Sequence, residues 1–351
     1  MTEPAEWGLS CPLPHTTGDR ILLAHGEGAG LTRRLIRQLF LEAFDNDYLR
    51  PLADAAVLPP VGERCVVTTD SFVVSPLFFP GGDIGRLAVH GTINDLAVCG
   101  AEPLYLCLSV ILEEGLPLET LRRVVGSIRD AARSAGILVV AGDTKVVPRG
   151  AADQLFLTTT GIGRQLPGCD WGTHRVRPSD RLVLSGAVGD HGIAVLAARE
   201  GLGLGTAVSS DTAALHGLVA ALVAEGIDIH FLRDATRGGV AAVLHEIAEA
   251  AGVSLVLDEA AVPIHEAVRG ACEILGIDPL YVANEGKLLA VVAEADASRA
   301  LAVLRRHPLG AEAALVGEVT AASPPHVLLR GSLGTLRVLD EPTGAPLPRI
   351  C

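Results

Sequence analysis

Aromatic residues are scarce in this chain, 3% of 351 residues, and methionine occurs once. Cores with few rings must be filled by Ala, Val, Leu and Ile, and the 49% hydrophobic content is ample for two domains. No apolar stretch runs uncharged for the roughly 18 residues that a membrane span requires. A basic excess is missing as well. The net charge of −13 argues against nucleic acid as a partner, though not against a nucleotide held by backbone amides, a lysine and a metal ion. There is no CxxC pair, which excludes a zinc ribbon and a thioredoxin motif. No Walker A pattern occurs, which excludes a P-loop NTPase. His245-Glu246-Ile247-Ala248-Glu249 lacks the second histidine of a zincin and reads as a plain amphipathic helix. The opening segment carries acids and no apolar core, so it is not read as a secretory signal.

What is present begins at the other end. Cys351 is the last residue, and Asp340–Pro348 before it holds three prolines and a glycine. Proline fixes φ and removes donors, so this run favours an extended arm of about 35–40 Å at full stretch. A prenylation box needs its cysteine four residues from the end and is therefore excluded. The seven cysteines (Cys11, Cys65, Cys99, Cys107, Cys169, Cys272, Cys351) are an odd number in a long chain, which reads as reduced, cytosolic usage. A free, exposed thiol at the tip of an extended arm is the expectation, and by itself it reads either as a carrier or as incidental.

Strands and helices alternate through both halves. Leu31, Leu35, Leu39 and Phe40 share one side of a helix over 31–46, after a short strand at Ile21–Ala24. A strand follows at 65–69, then a helix over 84–99 capped by Asp83, a strand over 104–112, a helix over 118–135, and strands at 137–141 and 155–161. The Pro- and Gly-rich stretch 164–178 reads as the domain boundary. Beyond it we expect strands at 181–185, 229–232, 253–257, 287–293, 315–319 and 327–329, with helices over 192–200, 211–225, 237–251 and 297–307. The fold class is thus α/β (α+β), with mixed sheets flanked by helices. The divisions are an N-terminal segment 1–50, domains 51–166 and 167–340, and the arm 341–351.

Asp70, Asp95 and Asp143 lie beside strand ends or helices, with Asp54 as a fourth. Carboxylates drawn from separate elements suit Mg²⁺, a hard ion completed by substrate phosphates; singly, each reads as a turn or helix cap. Lys145 follows Asp143 by two residues. Gly26-Glu27-Gly28-Ala29-Gly30 precedes the first helix and reads either as a phosphate cradle or as a hinge. Ser185–Gly192 is a similar strand, glycine loop and helix. His90, mid-helix, reads as a packed histidine.

Several long motifs carry a resemblance. Asn94-Asp95-Leu96-Ala97-Val98-Cys99-Gly100-Ala101-Glu102-Pro103 resembles the segment shared by aminoimidazole ribonucleotide synthetase and its ATP-using, PurM-like superfamily. Thr69–Gly85, Gly142-Asp143-Thr144-Lys145, Gly189-Asp190-His191-Gly192, Asp234-Ala235-Thr236-Arg237-Gly238-Gly239, Asn284-Glu285-Gly286-Lys287 and the terminal Pro348-Arg349-Ile350-Cys351 are similar to the HypE family of hydrogenase maturation proteins. The resemblance runs from about Ile21 to Cys351.

That resemblance implies a two-domain PurM-like fold that dimerises through the first domain and binds ATP with Mg²⁺ there and across the dimer interface. It implies that Cys351 receives a carbamoyl group from a HypF-like carbamoyltransferase and that ATP dehydrates it to a thiocyanate. A HypC–HypD complex would then take the cyanide for the iron of [NiFe]-hydrogenase. Asp70, Asp95 and Asp143, with Asp54, would hold the metal. ATP would contact Gly26, Gly28, Gly30, Asn94, Thr144, Asp190 and His191. Lys145 would neutralise phosphate charge or steer the amide oxygen. Glu285 is either the base that deprotonates the amide nitrogen or an ion-pair partner of Lys287. Arg349 is read as offsetting the C-terminal carboxylate. Two rivals remain: a superfamily kinase or ligase such as a selenophosphate synthetase, for which Cys11 would be the reactive thiol, and a thiol-bearing scaffold without catalysis.

Overall fold

The structure is a computed structural model that describes residues 19–27, 29–53, 55–201, 208–321, 324–341 and 349–351. Gly28, Asp54, Cys11 and most of the arm lie outside the described residues.

The first domain is a four-stranded sheet in the order Cys65–Phe72, Leu155–Gln165, Ala101–Glu113, Leu138–Val147. The last pair is parallel and the others antiparallel. Side chains alternate between faces along each strand. One face, bearing Leu106, Leu108, Leu155 and Leu157, is buried under the helices Ile84–Val98 and Leu118–Ala135. The other face is open: Val67 is 61% exposed, and Ile111 and Leu138 are exposed as well. Asp83 caps the Ile84–Val98 helix, its Oδ1 accepting from the amides of Gly85 at 2.8 Å and Arg86 at 3.1 Å.

The second domain is a seven-stranded sheet in the order Leu336–Val338, Val327–Arg330, Ser254–Asp258, Ala314–Thr320, Arg181–Leu184, Leu288–Val292, Ile229–Asp234. Helices Gly239–Ala251, His216–Ala224 and Ala297–Arg306 supply its two apolar layers. The helix Glu266–Leu275 and the strand Leu336–Val338 are elements that the periodicity did not reveal.

Three local expectations are corrected. Ile21–Ala24 is not a strand; Leu23–His25 is a 3-10 turn, and Ile21 exchanges backbone bonds with Leu116 and Gly115 instead. The helix expected from Asp211 begins at His216, because Asp211 is turned inward onto Lys287 and the Leu215 amide is taken by Asn94 Oδ1. The helix expected from Arg237 begins at Gly239, since Gly238 and Gly239 both have positive φ. A Cβ on Gly239 would also fall 2.4 Å from the Leu280 carbonyl oxygen.

Candidate active site

The described end of the arm does not hang free. The amide of Val73 donates to the carbonyl of Cys351 at 3.1 Å, and that of Ser75 to Arg349 at 3.4 Å. Ile350 is 2% exposed, packed into the core of the first domain. His191 Nε2 donates to the Ile350 carbonyl at 3.0 Å. The expected exposed thiol is therefore a half-buried one. Arg349 does not offset the chain terminus; it pairs with Asp153 at 2.8 Å.

Cys351 is brought among acids. Burial, and then the Glu285 carboxyl, push its thiol up to about 12, with Arg237 opposing. Asp70 is raised to about 6 by burial and by contact with Asp95. Thr68 Oγ1 donates to Asp95 at 2.8 Å and Thr92 Oγ1 to Asp70 at 3.4 Å. Asp234, from the second domain, is raised to about 7 by burial and then by Asp95. Glu285 is buried, and among the described residues its Oε1 has no hydrogen-bond partner. Burial first, and then Asp234, Asp211 and Asp70, raise its carboxyl well above the usual range.

The backbone around Glu285 is clamped. Its amide donates to Asp211 Oδ1 at 3.0 Å, and its carbonyl accepts from Asn94 Nδ2 at 3.3 Å. Asn94 Nδ2 also bonds the Ala213 carbonyl at 3.0 Å. Asn94, expected at ATP, is thus a buried pin between the two domains. A Cβ on Gly286 would lie 1.9 Å from the Asp211 carbonyl oxygen, so only glycine fits between Glu285 and Lys287. Asn284 ties the Ala235 carbonyl to the Gly189 amide, at 2.8 and 2.7 Å. Lys287 pairs with Asp211 at 3.4 Å rather than with Glu285. Asp190 is bonded to His265 at 2.9 Å, and His191 faces the tail; both are buried. His90 is packed as expected, bonded to Thr212 at 3.1 Å and lowered to about 4 by burial.

The remaining expected residues gather elsewhere. A cavity of about 540 Å³, lined by Thr32, Arg33, Arg37, Tyr48, Asp143 and Thr144 among others, lies between the helical run 30–44 and the edge strand Leu138–Val147. Gly26 abuts that strand so closely that a Cβ would fall 2.4 Å from the Val146 amide nitrogen. Gly30 opens the first helix and is exposed. Lys145 lies 3.7 Å from Asp143.

The single cluster of Asp70, Asp95 and Asp143 is not assembled within one chain. Register runs from Ser71 through Thr158 and Ser109 to Asp143, so Asp143 shares the open face with Ser71, while Asp70 points to the helical face. Three strand spacings, about 14 Å, separate them as well. Among the described residues no group of three or more His, Cys, Asp or Glu is placed to hold a metal ion. Asp234, Asp211 and Arg237 are site residues that the sequence reading left unassigned. The signal was present: Asp234 and Arg237 stand in a quoted motif.

The fold and the site define an AIR-synthase-related protein whose own C-terminal thiol enters its acidic pocket. Residues 52–165 match the AIR synthase related protein N-terminal domain, and 177–329 match the corresponding C-terminal domain. The chain is 51% identical to carbamoyl dehydratase HypE of Cupriavidus necator over 352 aligned residues, covering 100% of both chains. It is 50% identical to that of Escherichia coli K12, covering 95% of this chain and 100% of the relative. A crystal structure of hydrogenase maturation protein HypE in complex with ATP superposes with a TM-score of 0.90 at 48% identity, covering 94% of this chain and 99% of that one. That of a HypE–HypF complex superposes at 0.78 and 46%, covering 88% and 99%. The chain belongs to the HypE family of carbamoyl dehydratases.

Proposed function

We propose that this chain serves [NiFe]-hydrogenase maturation by dehydrating a carbamoyl group on its own Cys351 to a thiocyanate with ATP. The observation that carries the reading is the seating of Cys351 beside Glu285, Arg237 and Asp70. An amide oxygen is a poor leaving group and must first become a phosphate ester. The carbamoyl oxygen attacks the γ-phosphorus and ADP leaves. The nitrogen then gives up two protons, the C–O bond breaks, and inorganic phosphate departs with the oxygen as the nitrile forms. Glu285 takes a proton from nitrogen; its isolation from Lys287 leaves its side chain available for this. Lys145 neutralises charge on the transferred phosphoryl group or steers the amide oxygen.

Mg²⁺ fits the site. It needs one or two carboxylates, with phosphates and waters completing its shell, and the like-charged contact of Asp70 with Asp95 is what a divalent cation relieves. When bound it supplies charge neutralisation for the phosphates. Asp70 and Asp95 would hold it, with Asp54 as a further ligand, whereas Asp143 lies on the opposite face of the sheet and does not reach it within one chain.

The chain acts as a homodimer. The open sheet face of the first domain, which also bears Asp143, supports this. Gly26, Gly28 and Gly30 border the nucleotide. The solved HypE–HypF complex supports a HypF-like carbamoyltransferase as the donor partner. A HypC–HypD complex receives the cyanide. No helix of the described residues is long and apolar enough to cross a membrane, and we place the reaction in the cytoplasm. Intact mass after incubation with the carbamoyltransferase, carbamoyl phosphate and ATP tests the reading. A carbamoyl adduct that then loses one water supports it; an adduct unchanged by ATP overturns it.

A further inference from the structure

Residues 210–215 join the two domains beside the acidic pocket. The Ser210 amide donates to the Pro80 carbonyl at 2.8 Å, and a Cβ on Gly81 would fall 2.7 Å from the Ser210 amide nitrogen. Thr212 is bonded to His90 at 3.1 Å and the Ala213 carbonyl to Asn94 at 3.0 Å, so the segment is moored on the first domain. Asp211, between these moorings, meets the second. Its Oδ1 accepts the Glu285 amide at 3.0 Å, and its Oδ2 lies 3.4 Å from the Lys287 ammonium.

Lys287 stands two residues from Glu285, and the reach of its four-carbon stem makes that carboxylate a natural partner. Yet the stem lies against Gly186, where a Cβ would fall 3.0 Å from the Lys287 Cε. The ammonium ends on Asp211 and the Gly286 carbonyl, each at 3.4 Å. This pair is nearly dry, with the Lys287 and Asp211 side chains 13% and 4% exposed. Asp190 offers the lysine no second home, since His265 takes both its oxygens at 2.9 and 3.0 Å. Among the described residues, Glu285 keeps Oε1 without a partner, and its Oε2 lies 4.0 Å from where a Cβ on Gly91 would stand.

We infer that Asp211 is a positioning residue for the dehydration: it holds the Lys287 ammonium away from Glu285, so that the carboxylate which must reach the amide proton stays unpaired. The inference rests on the reading of Glu285 as the base. Its physical root is that a buried charge stripped of its partner is costly, whereas a buried pair replaced as a whole is often tolerated. An ammonium deprived of Asp211 therefore turns to the carboxylate still open to it, and that carboxylate is Glu285. Asp211 thus acts through Lys287, beyond serving as a strut for the Glu285 amide.

The test separates these two roles. Asp211→Asn keeps an oxygen for the Glu285 amide and removes the charge. A crystal structure of this variant without nucleotide should show Lys287 Nζ within hydrogen-bond reach of the Glu285 carboxylate. Single-turnover water loss from carbamoylated Cys351 should fall about 10- to 100-fold, short of the full loss of a base, with carbamoylation and Mg-ATP affinity unchanged. Asp211→Asn with Lys287→Met removes the stray ammonium as well, and the rate should return to within about threefold of the parent. A lysine that stays off Glu285 in the variant structure, or a double variant as slow as the single one, overturns the inference. If Asp211→Asn alone does not fold, the double variant decides: a rate near the parent's upholds the inference and a loss of about tenfold or more overturns it. The crystal structure involves no ATP or carbamoyl group. A parent protein that fails to lose water would therefore defeat the base reading, while the structure still reports where the lysine goes.

Discussion

The ammonium of Lys287 lies 3.4 Å from Asp211 Oδ2, and Asp211 Oδ1 accepts the backbone amide of Glu285 at 3.0 Å. The neighbouring lysine is thereby committed, and the Glu285 side chain faces Asp234, Asp211 and Asp70 with Arg237 as its counter-charge. Burial among acids holds its proton tightly. Once ionised, it is a stronger base than an ordinary carboxylate.

Glu285→Gln should therefore keep ATP binding and keep the carbamoyl group on Cys351, yet stall before thiocyanate, with a loss of about 10²–10⁴-fold. In the parent, the single-turnover rate should climb with pH through a value above the ordinary carboxylate range, and the variant should lack that limb. Lys145→Ala should instead depress ADP release and nitrile formation together. A Glu285→Gln protein that loses water at the parent rate would remove Glu285 from the mechanism.

Cys351→Ala should fold normally and gain no carbamoyl mass, and deletion of Cys351 should behave the same way. In the parent, the half-buried thiol, raised to about 12, should be alkylated more slowly at pH 8 than the exposed Cys65. Peptide mapping after timed alkylation measures both. A carbamoyl adduct on either variant would defeat the carrier role.

Asp95→Asn and Asp70→Asn should each weaken Mg-ATP binding while leaving carbamoylation intact, because the transferase performs that step. Titration calorimetry with a non-hydrolysable ATP analogue gives the answer. Unchanged affinity in both would mean that these carboxylates serve only local hydrogen bonds such as those to Thr68 and Thr92.

Asp234 makes a pH signature. Its folded value of about 7 stands above the 3.8 of a free aspartate, so the folded state holds a proton that the unfolded state has released between those values. The stabilisation is complete below about 4 and is lost as pH rises toward 7. Asp234→Asn should flatten that decline and raise stability at pH 8 by on the order of a few kcal/mol. Denaturant melts at pH 5 and pH 8 would show it. Equal slopes in parent and variant would contradict the assignment.

A charge on the open sheet face should break the proposed dimer. Val67 is 61% exposed, and Val67→Glu should give a folded monomer by light scattering that has lost most of its ATP turnover. A variant that remains dimeric would move the interface elsewhere.

Much of the architecture was legible because local rules govern it. Asp83 announces a helix by its capping oxygen, and the alternating strand 101–113 announces one buried face. The helix at 118–135, with apolar residues on one side and Gly136 at its end, follows from periodicity and a glycine stop alone. The start at His216 was not legible, since a buried partner, Asn94, captures the amide that would otherwise begin an earlier turn.

Residue chemistry along the chain determined that a thiol ends it, that aspartates and a Glu-Gly-Lys turn stand at element ends, and that the cores are aliphatic. Only the tertiary structure decided which of these groups meet. Strand pairing turned Asp70 and Asp143 to opposite faces of one sheet, a matter of register that no local motif records. The packing of the two domains brought Asp234, Asp211 and Glu285 from the second against Asp70 and Asp95 of the first. The cysteine reads as free from the proline-rich run before it; it is held because Ile350 finds a pocket and His191 a carbonyl, the latter contact formed across more than 150 residues of chain. Long-range contacts of that kind depend on where whole elements come to rest, and sequence reports that only indirectly.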